Sequence, residues 1–167
     1  EVTGGYFWPP YDAGGAQVYR KPIDLASQRL RNLARAIGRA YIRVSGTWAN
    51  ATYFQDDEKP AAKAPAGFVN VMTRRQWKGV LDFVKATDSK LITSFAVSNG
   101  VRDKAGAWTP VEAQKLLNYT RSLGGSIDAA ELFNEPTMPT AGGEMDKDYG
   151  PADFAQDVQV FRTWAKT

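Results

Sequence analysis

The feature that most limits how this chain can fold is the order of its segments. Short apolar stretches alternate with stretches of helical period. Residues 24 to 37 place Ala26, Leu30, Leu33, Ala34 and Ile37 on one helical face, with Pro22 just before them and Gly38 placed to stop the helix in a left-handed turn. Ala-Tyr-Ile-Arg-Val at 40 to 44 then reads as a strand. Thr73 opens a second helix, with Gln76 three residues on to complete a capping box and Trp77, Val80, Leu81 and Val84 facing inward. Leu91 to Val97 is almost wholly apolar, as a strand covered on both faces would be. A third helix starts at Thr109 as N-cap, with Pro110 at the first position and Glu112 closing the box. It turns Ala113, Leu116, Leu117 and Leu123 inward and ends at Gly124. Ile127 to Phe133 is another strand. The last helix, 152 to 165, presents Phe154, Val158 and Phe161. Residues 45 to 72, with Pro60, Pro65 and Gly67, read as one long loop.

Strand and helix in alternation imply an α/β fold with parallel strands and right-handed crossovers. Two closures satisfy that pattern. An open doubly wound sheet would carry its ligand on a glycine-rich first turn, and neither G-x-G-x-x-G nor a P-loop occurs here. An eightfold barrel needs about 250 residues. This chain has 167, enough for roughly strands 1–4 of a (β/α)8 TIM barrel with their helices, so the expected domain is 1–167 as the N-terminal portion of one barrel.

The chain has no cysteine and no histidine, which removes disulfides, thiol nucleophiles, Ser-His-Asp and Cys-His triads and the usual zinc ligands. Proton transfer falls to Asp, Glu, Lys or Tyr, and no metal or cofactor is expected. A net charge of +3, with no basic run longer than Arg74-Arg75, does not suggest nucleic acid. No apolar run approaches the roughly 18 to 20 residues of a membrane span. The acidic run Asp56-Asp57-Glu58 reads as solvated charge. The opening residues lack the pattern of a leader peptide, but a cysteine-free chain fits export, and a secreted or periplasmic location is expected.

In a barrel the site is built where strands end. The strand ends here read Val44-Ser-Gly-Thr-Trp48-Ala-Asn50, Phe95-Ala-Val-Ser-Asn99-Gly and Glu131-Leu-Phe-Asn-Glu-Pro136. Pro136 cannot donate to a ladder and so ends the last of them. Glu135 then projects into a cleft with an apolar floor, the setting that turns a carboxyl into a proton donor near neutral pH. Asn134 supplies an amide for a sugar hydroxyl. Arg43 and Glu131 lie within strands, where charge is costly unless paired, so a buried ion pair is expected between them. Along one continuous strand Glu131 lies about 13 Å below Glu135 and shares its face. Asp103, Glu144 and Asp146 read as solvated loop charge. Tyr6, Phe7, Trp8 and Trp48, near strand ends, serve either as sugar platforms or as core. Asn50-Ala-Thr52 and Asn118-Tyr-Thr120 match the glycosylation triplet, which chance often produces.

Asn134-Glu135 at a strand end resembles the acid/base motif of the large clan of retaining glycosidases built on (β/α)8 barrels. More narrowly, Tyr41-Ile-Arg-Val-Ser-Gly-Thr47 resembles Leu-Arg-Phe-Gly-Gly-Thr of glycoside hydrolase family 79, the heparanases and related β-glucuronidases. Glu131-Leu-Phe-Asn-Glu-Pro136 is similar to that family's Glu-Leu-Gly-Asn-Glu-Pro. Glu1-Val-Thr-Gly-Gly-Tyr-Phe-Trp8 looks like the end of its first strand and the loop that follows. Ser45 and Phe133 stand where the family has glycine. The resemblance implies a retaining hydrolase of β-linked glucuronic acid, exo or endo. Glu135 is its acid/base, and Asn134, Thr47 and Glu1 contact substrate; Trp48, as a strand-end aromatic, is a further candidate substrate contact. The nucleophile and the residues that bind the glucuronate carboxylate lie on later strands. Implied partners are a glucuronic-acid-containing oligo- or polysaccharide, heparan-sulfate-like glycans among them, and the remaining half of the barrel. A xylanase or mannanase of the same clan, and a non-catalytic carbohydrate-binding fragment, remain as alternatives.

Overall fold

The computed structural model describes residues 2–7 and 18–167; Glu1 and Trp8 lie outside them, as do the side chains of Tyr6 and Phe7. Three parallel strands form the central sheet in the order β3-β6-β7: β3 (Tyr41–Val44), β6 (Lys90–Ser94) and β7 (Ala129–Glu131). Val44 lies beside Thr93, and Ser94 beside Glu131. The crossover from β3 to β6 carries α2 (Arg74–Ala86), and that from β6 to β7 carries α3 (Val111–Ser122). Helix α1 (Gln28–Ile37) precedes β3, and α4 (Pro151–Trp164) follows β7. The mixed α/β fold with parallel strands read from the sequence is therefore present, with four helices among the described residues.

The sequence signals placed the helices well. Thr73 and Gln76 form the expected capping box, and Trp77, Val80 and Leu81 are buried, while Val84 is only partly so. The indole of Trp77 donates to Thr120 Oγ1 at 2.7 Å, and that hydroxyl donates to Leu116 O at 2.7 Å, tying α2 to α3 inside the core. At α3 the expected cap is not formed. Pro110 occupies the N-cap position, because the Thr109 hydroxyl donates instead to Val101 O at 2.7 Å. Leu123 is exposed beyond the last turn of α3. Helix α4 docks through partly buried Phe161 and Trp164, whose rings meet Phe95 and Trp108 at right angles or tilted.

Three expectations are corrected by packing. Helix α1 starts at Gln28, with Ser27 as N-cap, and buries no side chain: Leu33 and Ile37, read as inward-facing, are exposed. Residues 45 to 72 are not one loop. They hold a 3₁₀ turn (Thr47–Ala51) and two short parallel strands, β4 (Thr52–Gln55) and β5 (Asn70–Thr73). Four residues each are too few for an alternation to stand out. Gly5–Phe7 (β1) pairs antiparallel with Val18–Arg20 (β2) instead of joining the parallel sheet.

The two faces of the central sheet differ. Leu91 and Thr93, on one face, are 0% and 2% exposed. Tyr41, Arg43, Ala129 and Glu131, on the other, are exposed or half-buried. Parallel sheets normally have both faces covered. Here the first face is covered over β6, and the second carries charge.

Candidate active site

The exposed end of the sheet, where β3 and β7 give way to loops, gathers most of the candidate residues. Past β3 the chain runs through Ser45 and Gly46 into the 3₁₀ turn that begins at Thr47. Past β7 it runs through Leu132 and Phe133, both buried, to Asn134 and Glu135. Strand β7 thus ends at Glu131, two residues earlier than the apolar run suggested, because Phe133 turns into the core against Tyr149 and Phe154. The continuous strand from Glu131 to Glu135, on which the two were expected to share one face, is not formed.

A line of hydrogen bonds joins the site. Arg43 donates to Glu131 from Nε, and from Nη2 to Glu131 Oε2 at 2.9 Å. The same Nη2 donates to Asn134 Oδ1 at 2.9 Å. A guanidinium has no acceptor, so it must take the oxygen end of the amide. That turns Asn134 Nδ2 toward Glu135, whose Oε2 it meets at 3.0 Å. Thr47 Oγ1 donates to the same Oε2 at 2.6 Å. Glu135 is exposed, not sunk in an apolar floor. Its backbone is left-handed, with φ 51°, a conformation that costs a side chain of this kind about 1 to 3 kcal/mol and persists only where surroundings impose it.

The expected Arg43–Glu131 pair is formed, but it is not buried: the side chains are 46% and 33% exposed. The bonds from Arg43 hold the Glu131 carboxyl below the usual carboxylate range, against the opposing effect of partial burial. An exposed pair contributes at most about 1 kcal/mol. Arg43→Met is therefore expected to shift the unfolding free energy by no more than that, measured by urea titration. Because the Glu131 pKa is lowered in the folded chain, the pair's increment is present above the ordinary carboxylate range. It is lost as pH falls through the lowered value.

The structure thus brings Thr47, Asn134 and Glu135 together. Trp48 is half-exposed on the wall of a neighbouring cavity of about 600 Å³, which Arg43, Ser45, Thr93, Phe95 and Leu116 also line. The cavity and the Glu135 cluster share Arg43, but Asn134 and Glu135 do not line the cavity. Glu1 lies outside the described residues. Two links escaped the sequence reading. Arg43 reaches Asn134 as well as Glu131, which follows once the strand register is known. Asn50, read only as part of a glycosylation triplet, is 2% exposed and bonded to the backbone of Asn134, so it is no accessible acceptor in this fold. Among the described residues no group of histidine, cysteine, aspartate and glutamate could hold a metal ion, and no helix is long and apolar enough to cross a membrane.

No family model matches the chain. It is similar to a hyaluronoglucuronidase from Hirudo nipponia, a glycosidase, at 30% identity over 154 residues, which is 77% of this chain and 31% of the relative. The chain thus spans about a third of the length of the curated relative it matches. The relationship these numbers support is with a glycoside hydrolase.

Proposed function

We propose that residues 1–167 are the N-terminal portion of a single (β/α)8 glycosidase barrel, contributing about its first four strands, and that the whole protein is a retaining hydrolase of β-linked glucuronic acid of the family 79 type. The observation that carries this reading is the convergence of Thr47, Asn134 and Glu135 at the C-terminal end of a parallel sheet. That end is where barrel enzymes build their sites. The charged, uncovered face of the sheet fits a barrel interior closed by strands that follow in a longer chain. A relative whose name carries a glucuronidase activity favours glucuronic acid over xylan or mannan as the substrate.

In this mechanism Glu135 protonates the oxygen of the leaving sugar, then takes a proton from the water that attacks the glycosyl-enzyme. Asn134, oriented by Arg43, binds the reacting sugar, with Thr47, Glu1 and Trp48 as further contacts. The nucleophile belongs to a later strand. Of the two carboxylates in the hydrogen-bonded cluster, Glu131 is committed to the Arg43 guanidinium. The substrate is a glucuronic-acid-containing oligo- or polysaccharide, heparan-sulfate-like glycans among them. The reaction requires no cofactor, nucleic acid or membrane, and the protein is secreted or periplasmic.

A retaining glycosidase needs two carboxylates about 5 to 5.5 Å apart. Residues 1–167 expressed alone are therefore expected not to hydrolyse an aryl β-glucuronide, whereas the whole protein does. Turnover by the 167 residues that disappears with Glu135→Ala would place the complete catalytic pair within them. Glycan binding by the whole protein without turnover would select the non-catalytic reading.

A further inference from the structure

We infer that Asn50 is the positioning residue for Glu135, acting through the backbone of Asn134; the inference rests on the glycosidase reading above. The Asn50 side chain makes a two-point contact with that backbone. Its Nδ2 donates to Asn134 O at 2.9 Å, and its Oδ1 accepts from Asn134 N at 3.0 Å. The carbonyl of Asn134 belongs to the peptide plane that joins Asn134 to Glu135. Bonding that oxygen fixes the plane from which the φ of Glu135 departs. Glu135 is one of three non-glycine residues with positive φ among the described residues, and a conformation of this kind reverts unless it is held.

Asn50 is itself held. Its own carbonyl accepts from Val97 N at 2.8 Å and from Ser98 N at 3.0 Å. One buried residue therefore ties together the loops that follow β3, β6 and β7. Gly142 closes over it: a Cβ there would lie 2.4 Å from Thr47 O and 3.2 Å from Asn50 Cβ, so the loop reaches this position only as glycine. The clamp needs a donor and an acceptor on one short side chain. Asparagine provides both. A carboxylate at position 50 would keep the bond to Asn134 N but set a negative oxygen against Asn134 O.

The test uses the whole protein and a series of aryl β-glucuronides with good and poor leaving groups. Asn50→Ala, Asn50→Asp and Glu135→Gln are compared with the parent, with rates normalised to folded protein by circular dichroism. A displaced acid/base fails most where the leaving group needs its proton. Both Asn50 variants are expected to lose about 100-fold in kcat/KM, which reports the first step, on poor leaving groups. They should lose far less in kcat/KM on good ones, where a burst followed by slow turnover shows the second step short of its base. A loss equal across the series would mean that Asn50 only stabilises the fold and would overturn the inference, as would parental rates in both variants. Impairment by Glu135→Gln with unimpaired Asn50 variants removes the inference and leaves the glycosidase reading standing. An unimpaired Glu135→Gln removes both.

Discussion

Glu135→Gln in the whole protein is expected to lower kcat on substrates with poor leaving groups by at least about 100-fold, the smaller end of what general acid–base catalysis contributes. Glutamine keeps the length and shape of the side chain and can still accept from Thr47 and face Asn134. What it loses is the proton. The first step, departure of the leaving sugar, therefore slows in proportion to the leaving group's need for protonation. An aryl glucuronide with a good leaving group should form the glycosyl-enzyme at a nearly parental rate and then stall, because the second step lacks its base. A burst followed by slow turnover is the signature in pre-steady-state kinetics. Parental turnover of natural glycan by Glu135→Gln would take Glu135 out of the mechanism. The left-handed backbone of Glu135 points the same way: strain of this kind collects at sites where side-chain direction matters more than stability.

Asp157→Ala is expected to be the most destabilising single change near the site, at about 3 to 5 kcal/mol. Asp157 is 1% exposed and pairs with Arg102, whose side chain is 8% exposed, at 2.9 Å. It also accepts from Trp108 N at 2.9 Å and from Tyr149 Oη at 2.8 Å. Helix α4, the loop that follows the candidate site and the segment after β6 are thus fastened to one carboxylate. Burial, and then the bond to Asp157, push the Tyr149 phenol far above its ordinary pKa, so it remains a donor throughout the usual range. Removing Asp157 strands the Arg102 charge in a dry interior with two backbone and side-chain donors unmatched. Equilibrium urea unfolding should show the loss. Replacing both partners with apolar residues, as in Arg102→Met with Asp157→Leu, should recover much of it, because the cost comes mostly from the orphaned partner. A double variant as unstable as Asp157→Ala would mean that the carboxylate's bonds to Trp108 and Tyr149 carry the energy instead. Tyr149→Phe should cost only about 1 kcal/mol, the net worth of a hydrogen bond whose loss leaves the ion pair intact.

Short-range chemistry made much of the fold legible. The Thr73–Gln76 box, the stop at Gly124 and the inward stripe of α2 depend on residues three or four apart, and such signals survive in a linear string. The candidate site was legible for a related reason. Asn134 and Glu135 adjoin each other and follow an apolar strand, and Thr47 follows another. Where reading failed, the cause was a partner distant in sequence. The cap at Thr109 was lost to Val101, and the strand after Ile127 was cut short by the burial of Phe133. The face of α1 was read as buried from its period, yet a period states only which residues point together, not whether anything covers them.

By itself, then, the sequence determined the alternation of parallel strands and helices, the helix limits set by local caps, and the placement of an amide and a carboxylate at a strand end. All of these depend on backbone periodicity and neighbouring side chains. The tertiary structure alone decided that Arg43 would orient Asn134, that Asn50 would grip the peptide leading into Glu135, and that Asp157 would sit in the dark beside Arg102. Those contacts join residues 55 to 91 positions apart, from Arg102 with Asp157 to Arg43 with Asn134. Nothing in a local pattern specifies such a pair, because the geometry that makes it favourable exists only once the strands have registered and water has been excluded between them.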